Sequence, residues 1–190
     1  MRICVFCGSA EGRRPEYRAA AEAVGRTLAS RGVGVVYGGG RVGLMGAVAD
    51  GALSAGGEVI GVIPTALMNR ELGHPGCTQL HVVETMHERK ALMAQLSDAF
   101  VALPGGVGTM EELFEAWTWS GLGIHAKPVA LVDLDGFYDP LLQMMDRMVA
   151  EGFLPERYRQ ALIVAPDAPA LLAALDAYRP PPDRWSTVKP

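Results

Sequence analysis

Cysteine is scarce in this chain, with Cys4, Cys7 and Cys77 the only three among 190 residues. An odd number, in a chain long enough to bury a core without covalent staples, excludes a disulfide framework and fits a reducing compartment. Cys4 and Cys7 do form a C-x-x-C pair, but inside an apolar, strand-like run. Positions three apart on a strand face opposite sides, whereas a redox pair opens a helix, so the pair reads as structural. Positive charge is also in deficit: 17 Lys and Arg against 21 Asp and Glu leave a net charge of −4. That excess gives neither nucleic acid nor an anionic membrane a reason to bind. No run approaches the roughly 20 apolar residues that cross a bilayer. Residues 3–7 stop at Gly8-Ser9 without the form of a secretory leader, so a cytoplasmic location is expected. His74, His81, His87 and His125 show no metal-ligand spacing, and no metal is expected.

What is present is alternation. Short, almost wholly apolar runs at residues 3–7, 33–37, 59–63, 80–83, 99–103, 129–132 and 162–164 read as strands. Amphipathic stretches at 17–30, 44–55, 86–96, 109–121, 138–151 and 168–178 read as helices. Apolar strands separated by helices predict a parallel sheet covered on both faces, a doubly wound, Rossmann-like α/β fold. Residues 1–178 form one domain, and Arg179-Pro180-Pro181-Pro182 opens a tail over 179–190. Residues 64–79, with Gly73, Pro75 and Gly76, read as a long loop or lid. Ligands in such folds bind beyond the carboxyl ends of the strands.

Two of those ends are glycine-rich. The first, Gly38-Gly39-Gly40-Arg41-Val42-Gly43-Leu44-Met45-Gly46, contains G-x-G-x-x-G and precedes a helix. It can bring backbone N–H groups to a phosphate, or it can be a tight packing turn. Dinucleotide binding is disfavoured, because the acid about 20 residues on, Glu58, falls at the start of the next strand rather than its far end. The second loop, Pro104-Gly105-Gly106-Val107-Gly108-Thr109-Met110-Glu111-Glu112, follows a buried strand and opens a helix. It lacks the P-loop lysine, so nothing suggests triphosphate chemistry.

At about 100° per residue, Met110, Leu113, Phe114 and Trp117 share one face of that helix, with Gly108, Glu112, Glu115 and Trp119 opposite. Glu111 and Glu112 therefore diverge. On spacing alone Glu112 is an exposed acid favoured by the helix dipole, or a site residue one turn above the loop. Arg89, in Met86-His87-Glu88-Arg89-Lys90, falls amid the apolar positions Leu92, Met93 and Leu96. A core arginine needs a partner, or it reaches out into a site. Lys90 diverges from it and faces solvent or a ligand's edge.

The string Pro104 to Glu112, preceded by Met86-His87-Glu88-Arg89-Lys90, resembles the LOG ("Lonely guy") family of cytokinin riboside 5′-monophosphate phosphoribohydrolases, long labelled possible lysine decarboxylases. The resemblance spans residues 2–165 and includes Cys7-Gly8-Ser9, Val62-Ile63-Pro64, Trp117-Thr118-Trp119 and Leu122-Gly123-Ile124-His125. It implies a Rossmann-like fold, a homodimer with sites near the subunit interface, and no metal or redox cofactor. It makes Arg89 and Glu112 catalytic. It makes Glu71, Lys90, Gly105, Gly106, Val107, Gly108, Thr109, Met110, Glu111 and Thr118 nucleotide contacts. Ser9, Gly40 and Gly43, in the matching segments after the first two strands, join them as substrate-binding candidates.

The implied reaction hydrolyses the N-glycosidic bond of a purine nucleoside 5′-monophosphate, giving free base and ribose 5-phosphate. Positive charge develops at the anomeric carbon, where a carboxylate such as Glu112 stabilises it and activates water. Arg89 would hold phosphate or sugar hydroxyls, or offset charge on the departing base. Lysine decarboxylation is disfavoured: pyridoxal phosphate needs a Schiff-base lysine, and the chain has only Lys90, Lys127 and Lys189. The other alternative is a non-catalytic carrier of a nucleotide-like cofactor such as the molybdenum cofactor, since fold does not determine function.

Overall fold

The computed structural model describes residues 1–68 and 72–182. Seven parallel strands form one sheet: β1 (Arg2–Phe6), β2 (Gly34–Tyr37), β3 (Val59–Pro64), β4 (Gln79–Val83), β5 (Ala99–Ala102), β6 (Val129–Val132) and β7 (Ile163–Ala165). Their order is β4-β3-β2-β1-β5-β6-β7. The chain builds outward from β1 on one side, then restarts at β5 on the other, and the turnover point between β1 and β5 is where such sheets open a crevice. Between the strands run α1 (Pro15–Ser30), α2 (Gly43–Ser54), α3 (Thr65–Leu67), α4 (Met86–Leu96), α5 (Val107–Gly121), α6 (Asp139–Ala150), α7 (Glu156–Ala161) and α8 (Ala168–Ala177). The doubly wound α/β expectation holds.

The inner strands alternate between two cores. Ile3, Val5 and Cys7 pack with Val24 and Leu28 of α1, Val48 of α2 and Leu171 of α8. Cys4 and Phe6 pack on the other side with Met93 of α4, Leu113 and Ala116 of α5 and Met145 of α6. The two thiols of the C-x-x-C pair thus belong to opposite faces, and both are free. Among the described residues, no helix is long and apolar enough to cross a membrane.

Local chemistry sets the helix starts. Thr85 accepts from the Glu88 N–H at 3.1 Å, and the Glu88 carboxylate accepts from the Thr85 N–H at 3.3 Å. This reciprocal cap fixes where α4 begins, which puts Arg89 and Lys90 in its first turns. The sequence reading missed α3 and α7, too short to show a period, and began α1 and α5 two residues late. The segment over 64–79 also differs from a free-standing lid. Gly73 bridges Gly40, the His74 N–H donates to the Gly39 carbonyl at 2.9 Å, and His74 Nε2 lies 3.0 Å from Asp50 Oδ1 on α2. A buried histidine with both ring nitrogens bonded lashes this stretch to the first glycine loop. In the tail, the Pro182 carbonyl accepts from the Tyr158 hydroxyl at 3.5 Å, and 183–190 lie outside the described residues.

Candidate active site

At the β1/β5 turnover point lies a cleft of about 240 Å³. Its wall comes from four parts of the chain: Cys7, Gly8 and Ser9 after β1, Met45 of α2, Met86 and Arg89 of α4, and Gly106, Val107, Gly108, Thr109, Glu111 and Glu112 at the start of α5. Most of the motif residues therefore converge. Gly40, Gly43, Lys90, Gly105, Met110 and Thr118 do not line this cleft. Glu71 lies outside the described residues.

Arg89 is only 5% exposed. Its Nε donates to the Val62 carbonyl at 3.1 Å and its Nη2 to the Gly38 carbonyl at 3.0 Å. These bonds resolve the sequence puzzle of an arginine amid apolar positions: backbone carbonyls at the ends of β2 and β3 hold the guanidinium against the cleft wall. They also explain Gly38. A Cβ there would stand 1.9 Å from Arg89 Nη2.

The first glycine loop spends its amides internally. The Leu44 and Met45 N–H groups, at the start of α2, donate to the Gly8 carbonyl at 3.0 and 3.3 Å, and the Arg41 N–H donates to the Leu72 carbonyl at 3.1 Å. Gly43, at φ +61°, backs onto Ser9, whose carbonyl carbon a Cβ would approach to 2.3 Å. This loop braces the Gly8-Ser9 turn and Arg89. Its helix start is occupied by protein, contrary to the expectation that it offers N–H groups to an anion.

The second loop is built the other way. Gly106 is the N-cap of α5, with no side-chain cap, and Gly106, Val107 and Gly108 are exposed. Val107 is 87% exposed. A helix's first N–H groups have no intrahelical acceptor, and its N-terminus carries partial positive charge. Here the helix start, Gly106 to Thr109, lines the cleft, an arrangement suited to phosphate. The loop is anchored at its base, where the Gly8 N–H donates to the Pro104 carbonyl at 3.2 Å and Thr109 is buried beneath Gly105.

Glu112 needs a correction of face. The buried stripe of α5 is Thr109, Leu113 and Ala116, and Glu112 flanks it half-buried rather than standing opposite. Small Thr109 and Ala116 let the helix press onto the sheet, while Phe114 and Trp117, which weighted the sequence reading, are only partly covered. Glu111 is exposed and also reaches the cleft wall. Lys90 is neither solvated nor in the cleft: its Nζ binds Glu115 Oε2 at 2.8 Å and also the Glu111 carboxylate. Burial pushes the ammonium's pKa down, but the two carboxylates outweigh it and leave the group above its ordinary value.

Four wall residues escaped the sequence reading: Cys7, Gly8, Met45 and Met86. Met86 had a usable signal, one helical turn before Arg89. Burial and then the charge of Glu112 push the Cys7 thiol up, partly offset by Arg89, so this thiol stays protonated and serves as wall. Thr118 is exposed elsewhere, on a second, apolar cavity of about 290 Å³ with Phe114, Trp117, Met148, Phe153 and Tyr158.

The model of the family described as possible lysine decarboxylase matches residues 45–175. The chain is 54% identical over 179 residues to the probable cytokinin riboside 5′-monophosphate phosphoribohydrolase LOGL9 of Oryza sativa subsp. japonica, covering 94% of this chain and 79% of that one. It is 50% identical over 179 residues to the cytokinin riboside 5′-monophosphate phosphoribohydrolase LOG4 of Arabidopsis thaliana, covering 94% and 83%. Among solved structures, the molybdenum cofactor binding protein of Rippkaea orientalis superposes with a TM-score of 0.70 at 22% identity, over 93% of this chain and 95% of that one. At that identity the likeness concerns the fold alone. With the motif residues gathered at one cleft and half the sequence shared with these hydrolases, the chain belongs to the LOG family.

Proposed function

We propose that the protein hydrolyses the N-glycosidic bond of a purine nucleoside 5′-monophosphate, of cytokinin riboside or adenosine type, to free base and ribose 5-phosphate. The observation that carries this reading is the convergence of Glu112 and Arg89, from adjacent helices, on a cleft that also holds the uncapped start of α5. The 5′-phosphate binds the N–H groups over 106–109, which sets the ribose at a defined distance from Glu112. As the bond from the anomeric carbon to the base nitrogen breaks, its electron pair leaves with the base and the sugar becomes cationic. The Glu112 carboxylate stabilises that cation and takes a proton from the attacking water, whose oxygen completes ribose 5-phosphate. The base takes up a proton and departs. Binding energy from the unreacting phosphate thus serves the reacting carbon. Arg89 is the one cation among the described cleft residues and balances negative charge on phosphate or departing base.

The family's older description implies pyridoxal phosphate, and the residues do not fit it. Lys90 is held by Glu111 and Glu115 outside the cleft, and Lys127 Nζ donates to the Ala94 carbonyl at 2.7 Å. No lysine lines the cleft among the described residues. The carrier alternative draws on a fold likeness only.

Incubation with a panel of nucleoside monophosphates, with detection of ribose 5-phosphate, tests the activity. Glu112→Gln should lower kcat by about a thousandfold or more while substrate still binds; full turnover in that variant refutes the role. We further propose a cytoplasmic homodimer that needs neither nucleic acid nor membrane. Three free thiols accord with that compartment. Supporting self-association, Phe153, on the second, apolar cavity, is 85% exposed, and Leu122, which also lines it, is 37% exposed. Light scattering at micromolar concentration should give twice the mass of one chain, and a fully active monomer contradicts it.

A further inference from the structure

We propose that a cavity behind the phosphate site, on the side away from Glu112, is a subsite for an uncharged aromatic group esterified to that phosphate, so that the protein binds nucleoside 5′-phosphodiesters as well as monophosphates. This rests on the reading of the cleft above, which puts the 5′-phosphate at the start of α5. The cavity, of about 230 Å³, lies between the turn after β1, Tyr17 of α1, Leu44 of α2 and Phe137 in the loop after β6. It shares Gly8, Ser9 and Gly106 with the cleft. Either space alone is smaller than the roughly 300–1,000 Å³ usual for a small-molecule site, and the two together reach it.

The ridge between the two spaces is low. Gly8 and Gly105 pack closely in it, and a Cβ at Gly8 would stand 3.4 Å from Gly105 Cα. A Cβ at Gly106, which borders both sides, would meet nothing within 4 Å. A phosphate on the N–H groups over 106–109 therefore sits at the junction, with the ribose toward Glu112 and open space behind. The base does not belong in that space: the carbon that loses it must lie beside Glu112, and neither Glu112 nor Arg89 lines the cavity. Charge and shape decide what does. Glu11 is the one charged group among the described lining residues and is paired with Arg18 at 2.6 Å, so a second phosphate has no cation to meet. The rest of the wall is apolar or aromatic. Tyr17 and Phe137 meet edge to face, 5.9 Å between ring centres, beside buried Leu44 and Pro104. Gly12, at φ +77°, lets the turn after β1 lie against Tyr17, whose ring a Cβ there would approach to 2.8 Å. Phe137 is 38% exposed, yet its loop is fastened: the Asp133 carboxylate accepts from the Tyr138 N–H at 2.8 Å, and the buried Tyr138 hydroxyl donates to the Leu103 carbonyl at 2.6 Å. An exposed ring on a fastened loop leaves an apolar face for another ring to cover.

The probes are the phenyl and methyl esters of adenosine 5′-monophosphate, equal in charge and different only in the group offered to the cavity. Calorimetric titration uses the Glu112→Gln background, so that the esters are bound without being cleaved. The phenyl ester should bind about tenfold tighter than the methyl ester, or more. Phe137→Ser removes a wall and Ala10→Leu fills the space, and each should bring that ratio to about twofold or less. With Glu112 intact, neither substitution should change release of ribose 5-phosphate from adenosine 5′-monophosphate by more than about twofold. Thermal melts identify a variant that fails to fold, and the other then decides. Equal binding of the two esters, or a phenyl preference that survives the substitutions, overturns the subsite. A wild type that releases no ribose 5-phosphate from any nucleoside monophosphate overturns the activity itself, whereas an active wild type beside esters bound alike overturns only the subsite.

Discussion

Two glycine-rich loops leave adjacent parts of the same sheet, both run into helix starts, and in sequence both resemble phosphate cradles. The loop over 38–46 is packed: a Cβ at Gly38, Gly43 or Gly46 would meet protein at 1.9, 2.3 or 2.1 Å. The tip of the loop over 105–109 is open, and a Cβ at Gly106 or Gly108 would meet nothing within 4 Å. In the first loop glycine lets protein approach protein, seating Arg89 and Ser9. In the second it leaves room for something that is not protein. One residue type thus answers two needs, and the occupancy of the neighbouring N–H groups tells them apart.

The sharpest way to break this comparison is to remove the phosphate. A nucleoside lacking it forfeits two or three charge-assisted hydrogen bonds at the start of α5, each worth about 1.5–3 kcal/mol before costs. The specificity constant should fall roughly a thousandfold against the monophosphate. Equal cleavage of nucleoside and monophosphate would make the second loop a structural turn like the first.

The next test exchanges activity for stability. Gly43→Ala forces a side chain into the left-handed region and against Ser9, and should destabilise by about 3 kcal/mol or more. At about 2 kcal/mol per molar urea, the unfolding midpoint should drop by about 1.5 M. Gly108→Ala enters open space in a helix's first turn and should leave the midpoint unchanged or slightly raised. Its methyl group stands in the phosphate's approach, so its specificity constant should fall about tenfold. If the two variants exchange behaviours, loop 1 is the cradle.

The smallest effect concerns the neighbouring acids. Glu111→Gln removes an exposed carboxylate that reaches the cleft edge, and should lower kcat by no more than about fivefold. A loss equal to that of Glu112→Gln would show that the two positions are interchangeable and that the burial of Glu112 is immaterial.

Local pattern determined much of this protein. The seven strands, most helix bounds and the parallel, doubly wound sheet follow from apolar runs alternating with amphipathic ones, because side-chain direction repeats with a short, fixed period along each element. The motif strings around Arg89 and Glu112 were likewise local, and so was the structural reading of Cys4 and Cys7, which strand geometry sends to opposite faces. Tertiary structure alone decided which glycine loop is filled by protein, since that depends on the Gly8 carbonyl meeting amides of Leu44 and Met45, some 36 residues away. It also decided the partners of Lys90 and the half-burial of Glu112. Periodicity shows that a side chain points away from its neighbour in sequence. What stands in that direction, a carboxylate, a carbonyl or an open cleft, is set by how separate elements pack, and packing depends on the sizes of side chains far apart in the chain.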